Sequence, residues 1–146
     1  MFQIPSLADL NLGVTLPAIS LALGATILLL IDILFVPKDR KIITGYLAIA
    51  GVVISFVINL LTFNQSGDAF MGMFVADQFT GFFNIIILFT AFISLLLSMD
   101  YVKRTGIERG EFYSLLLLSV SGMMFMASAN DLTVIFVALE LLSIPL

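Results

Sequence analysis

The chain has 146 residues, 61% hydrophobic and 11% charged, with a formal net charge of −4 and a mean hydropathy of +1.20; a soluble domain carries only about 45–50% apolar residues, so the composition is that of a membrane protein. No cysteine or histidine is present, so thiolate or imidazole ligation of zinc, haem or an iron–sulfur cluster has no ligands here, and no metal or bound cofactor is expected in the chain. The charges fall in short clusters between apolar runs rather than along an extended basic face, so nucleic acid is not an expected partner.

Ahead of the first apolar run stands Asp9 and no lysine or arginine, and the run is too long for a signal-peptide core, so cleavage is not expected. A hydrocarbon layer about 30 Å thick takes about 20 helical residues. Four runs have that length: Val14 to Val36, Ile42 to Phe63, Phe79 to Met99 and Phe112 to Ala129. A fifth, Leu132 to Leu146, would reach only about 22 Å. It reads as the interrupted helix of a longer protein whose amino-terminal part this is, or as a short helix that enters without crossing. The expected fold is all-α, a polytopic transmembrane bundle forming one helical unit over residues 1–146.

The connectors are short, so successive spans form antiparallel hairpins. All six basic residues sit in the first and third connectors, as Lys38, Arg40 and Lys41 and as Lys103, Arg104 and Arg109; the amino-terminal segment and the other connectors carry Asp9, Asp68, Asp77 and Asp131. The positive-inside rule then puts the amino terminus outside and the basic loops in the cytoplasm, as expected of a prokaryotic plasma-membrane protein. The second connector, with its "AFMGMFVAD", is expected along the outer interface as a turn or short hairpin. No internal repeat, phosphate loop or strand pattern accompanies it.

Acids in lipid cost about 2.5–3.5 kcal/mol on insertion scales, so their depth matters. Glu140 stands eight positions after Leu132, about 12 Å along its helix and near the bilayer midplane. Thr133, seven residues earlier, and Ser143, three later, share its face. Two roles fit Glu140: a protonated packing carboxyl, or a proton-exchanging group whose pKa burial raises and an approaching cation lowers. None of the five spans contains lysine or arginine, so a cationic partner belongs to residues beyond Leu146 or to another chain. Asp32 lies about 6 Å from the cytoplasmic end of its span, where solvation or loose pairing with Lys38, Arg40 and Lys41 is favoured over a direct part in proton entry. Asp100, Glu108 and Glu111 read as solvated loop charges.

Asn59 and Asn84 are expected to pack helices through hydrogen bonds, and Gly45, Ala48, Gly51 and Ser55 form a small-residue stripe open to close backbone approach. Met123, Met124 and Met126 read as gap-fillers before a metal site, and the fourteen phenylalanines as packing or lipid contact before a quinone pocket.

The stretch "EFYSLLLLSVSGMMFMASANDLTVIFVALELLSIPL" resembles the fourth and fifth helices of the antiporter-like subunits of respiratory complex I, the proton-pumping NADH-quinone oxidoreductase, and among these most resembles the subunit N type. The resemblance implies a fourteen-helix parent with two inverted five-helix repeats. It makes the acid of "LELLS", Glu140, a membrane-embedded member of the proton pathway, working with lysines in later helices. It also implies NADH, FMN, iron–sulfur clusters and quinone for the whole complex, with none in this chain, and other membrane subunits, the lipid bilayer and protons as partners. Proton translocation is the leading expectation. A subunit of a multisubunit sodium/proton antiporter and a non-transporting membrane scaffold are the alternatives.

Overall fold

In hydrocarbon a chain must satisfy its own backbone N–H and C=O groups, and long apolar runs do so as helices. The computed structural model describes residues 10–37, 42–106 and 109–145. Within these, α1 spans Leu16–Phe35, α2 Ile42–Thr62, α3 Gln78–Thr105, α4 Gly110–Ser128 and α5 Leu132–Ser143. Asp9, Lys38, Arg40, Lys41 and Glu108 lie outside the described residues.

Local chemistry sets the helix ends. Pro17 stands in the first turn of α1, where its missing N–H removes no helical bond. The Asp77 carboxylate accepts from the Thr80 amide at 2.8 Å to open α3, and Asp131 accepts from the Thr133 amide at 2.7 Å to open α5. α3 ends at Gly106, whose φ of 68° is the left-handed conformation that glycine adopts without strain.

That end lies beyond Met99, where the third apolar run stops. The helix continues through Asp100, Lys103 and Arg104, and Arg104 pairs with Asp100 at 2.9 Å, one helical turn away, with both side chains exposed. Its 28 residues measure about 42 Å, longer than the hydrocarbon layer, so its final turns reach polar surroundings.

The α2–α3 connector folds as an antiparallel hairpin of two three-residue strands, β1 Gly67–Ala69 and β2 Phe74–Ala76, where the sequence offered no strand pattern. Three successive residues with positive φ, Phe70, Met71 and Gly72, turn the chain. Asn11 donates its side-chain amide to the Asp68 carbonyl at 3.2 Å, joining the hairpin to the segment before α1.

α4 is the central helix and packs against each of the other four. Half of its most apolar stretch is buried, against 22–33% for α1 to α3, whose remaining faces turn leucine, isoleucine and phenylalanine outward. Leu21, Ala25, Val52, Leu88, Leu117 and Met124 fill the interior. The stripe on α2 faces that core, but side chains meet it: Met99 lies against Gly45 and Leu117 against Gly51. Close backbone approach occurs instead at Gly122 of α4, where an added Cβ would lie 2.7 Å from the Leu142 nitrogen and 3.0 Å from the Ala138 carbonyl oxygen.

Candidate functional site

Glu140 lies on α5, and the way that helix seats on α4 fixes the direction of its side chain. Ala138, Leu141 and Leu142 make the contact with Gly122. At 100° per residue, Glu140 points about 160° from Ala138 and about 100° from Leu141, on the face turned away from α4. It is half-buried, and among the described residues its carboxylate has no hydrogen-bond or ion-pair partner. Thr133 and Ser143 are exposed on the same side of the helix. Ser143 donates to the Glu140 backbone carbonyl at 3.4 Å, not to its carboxylate.

Both ends of this short helix are held. At its start the Asn130 amide donates to the Met73 carbonyl at 2.8 Å, and the Asn130 side chain donates to the Gly72 carbonyl at 2.9 Å, so the β-hairpin grips the α4–α5 turn. Near its end the Ser119 hydroxyl on α4 donates to the Leu142 carbonyl at 2.9 Å, supplying one of the terminal carbonyls that a helix leaves open.

Asp32 departs from its expected setting. It is 1% exposed, not solvated. Depth along α1 had been the basis for that expectation, but α2 and α4 enclose the residue laterally. Its Oδ1 accepts from the Thr44 hydroxyl at 2.6 Å, and its carboxylate lies against Gly110, the first residue of α4, where any Cβ would overlap it. The side chains of Tyr113 and Ser114 are fully buried in the next turn of α4. Sequence reasoning missed Thr44 and Gly110; the one available signal was a glycine two residues before the fourth apolar run.

Asp32 and Glu140 do not form one site. Asp32 meets α4 at Gly110, whereas α5 meets it at Ser119 and Gly122, about 14 to 18 Å farther along the helix. Asn84 donates to Asn59 Oδ1 at 3.3 Å and Asn59 donates to the Gly81 carbonyl at 3.1 Å, a packing pair as expected. Among the described residues no three acidic side chains gather as a metal site. With no cysteine or histidine in the sequence, the donor set does not fit an iron–sulfur cluster.

Among the described residues, four helices long and apolar enough to cross a membrane, packed with a shorter fifth that carries a half-buried acid, define a polytopic integral membrane protein. No protein-family model matches the chain. It is 38% identical over 141 residues to NADH-quinone oxidoreductase subunit N of Chloroflexus aggregans, covering 97% of this chain and 29% of that protein. It is 39% identical to NADH-quinone oxidoreductase subunit N 2 of Roseiflexus castenholzii, covering 88% of this chain and 26% of that one. Among solved structures, a chain of respiratory complex I from Thermus thermophilus matches 88% of this chain with a TM-score of 0.70 and 26% identity, over 27% of its own length. The chain is thus a homologue of NADH-quinone oxidoreductase subunit N over nearly all its residues, and it spans less than a third of the length of the relatives it matches.

Proposed function

We propose that the chain works within a proton-translocating membrane subunit of an NADH-quinone oxidoreductase, and that Glu140 is its proton-exchanging group. NADH, FMN, iron–sulfur clusters and quinone belong, in this reading, to other parts of the complex, and redox chemistry there drives proton movement here. Other membrane subunits are the partners, and the basic α1–α2 and α3–α4 connectors face the cytoplasm of a prokaryotic plasma membrane.

One observation carries the proposal: a carboxyl group in the last turn of an apolar helix is turned away from α4, the one helix that packs closely on its own among the described residues. An acid used solely for packing belongs against a neighbour that donates to it. An acid that exchanges protons needs a face open to water or to an approaching ammonium group, which shifts its affinity for a proton. The lysines expected to meet it lie in parts of the subunit that this chain does not span.

The test is Glu140→Gln in the full-length protein, with the assembled complex in sealed vesicles. Assembly and NADH oxidation should persist while proton uptake per NADH falls to a small fraction. Unchanged uptake would refute the role and favour a scaffold.

A further inference from the structure

Asp32 is a buried carboxylate that the proton-transfer reading leaves without a task. We infer that it is a positioning residue for Glu140, acting through α4; the inference rests on the reading of Glu140 given above.

Three helix ends converge on this one side chain. Asp32 belongs to the last turn of α1, Thr44 to the first turn of α2 and Gly110 opens α4. Thr44 donates its hydroxyl to Asp32 at 2.6 Å, and Gly110 has no side chain where the carboxylate lies. The first turn of a helix presents unpaired N–H groups and a partial positive charge, and a carboxylate there is stabilising. Arg109 at the N-cap position of α4 makes no side-chain capping bond, and the acid of its own first turn, Glu111, is exposed to the surroundings. α1 supplies a second carboxylate at this end, and that one is buried. Tyr113 and Ser114, one turn farther along α4, are buried as Asp32 is.

From that corner the coupling to Glu140 is mechanical. α4 meets α5 through the backbone contact at Gly122 and the Ser119–Leu142 hydrogen bond. A slide or rotation of α4 therefore carries α5 with it, and with α5 the direction in which Glu140 points. The points at which Asp32 and α5 meet α4 lie about 14 to 18 Å apart, and Glu140 points away from that helix, so direct proton exchange, which needs hydrogen-bond reach, does not fit. A fixed anchor fits the geometry better than a carrier.

The experiment uses the full-length protein in the assembled complex, in sealed vesicles, with Asp32→Asn, Thr44→Val and Glu140→Gln. Proton uptake per NADH is measured together with the rate at which dicyclohexylcarbodiimide modifies Glu140, read by mass spectrometry of its peptide. Asp32→Asn should change that rate several-fold and lower uptake, and Thr44→Val, which keeps the carboxylate but removes one donor, should move both in the same direction to a smaller extent.

An assembled Asp32→Asn complex with wild-type uptake and an unchanged rate overturns the proposal. Reduced uptake with an unchanged rate also overturns it, because Asp32 would then act on protons itself. If Asp32→Asn does not assemble, Thr44→Val decides by the same two readouts. Normal uptake in Glu140→Gln would remove the reading of Glu140 and the proposal with it, whereas loss of uptake there with inert Asp32 and Thr44 variants would remove the proposal alone.

Discussion

Asn59 on α2 is bonded to Asn84 on α3 and to that helix's backbone at once: it accepts from the Asn84 side chain at 3.3 Å and donates to the Gly81 carbonyl at 3.1 Å. Both side chains are buried. Interhelical bonds of this kind contribute about 0.6 kcal/mol each on average. Asn59→Leu removes two and Asn84→Leu one, so Asn59→Leu should lower the unfolding temperature of the detergent-purified full-length protein more. Equal losses would show that the second bond contributes nothing.

Two helical glycines are closed to larger side chains for different reasons. At Gly122 a Cβ meets the α5 backbone, at 2.7 Å from the Leu142 nitrogen; at Gly81 it meets the Phe63 ring, at 2.8 Å, just past the end of α2. A ring can rotate away and a packed helix cannot. Alanine also recovers about 1 kcal/mol of helix propensity at either site. Gly122→Ala should cost about 1–3 kcal/mol, as overpacking does, and Gly81→Ala should be nearly neutral. Thermal unfolding of the two variants in detergent reads the difference directly.

The Asp77 cap should make the start of α3 sensitive to acid. The Thr80 amide beside its carboxylate holds the pKa below the usual carboxylate value. A folded-state pKa below the unfolded one stabilises the fold above the unfolded pKa, and that contribution fades as pH falls through the folded value. Asp77→Ala should therefore cost about 0.5–2 kcal/mol at neutral pH, the range for lost caps. The gap in unfolding temperature between variant and wild type should narrow in acid below the ordinary carboxylate range.

Asn130→Ala removes the side-chain bond to Gly72 but leaves the backbone bond to Met73. The expected loss is about 1 kcal/mol or less, confined to the hairpin. Limited proteolysis between Gly67 and Ala76 in the detergent-purified protein should quicken, while cleavage between α3 and α4 keeps its rate.

What could be read from the sequence follows from which physical signal each feature leaves. Apolar runs of bilayer length mark Leu16–Phe35, Ile42–Thr62 and Gly110–Ser128 because lipid solvation depends on composition. The same signal stops too early on α3, since hydropathy reports where lipid ends and not where the helix ends; Asp100, Lys103 and Arg104 are charged yet helical. The hairpin was weakly legible because Phe70 and Met71, neither a usual residue at positive φ, make its turn. Asp32 was misread for another reason. Counting residues to the end of α1 gives depth in the membrane, whereas its burial depends on Thr44 and Gly110 arriving from two other helices. For Glu140 the local sequence gave position and face, and the side from which α4 packs came only with three-dimensional structure.

The grips on α5 at Asn130 and Ser119 restrict how any working cycle could operate here. A rod tied near both tips does not swing by itself; it shifts only as its two supports, the hairpin and α4, shift with it.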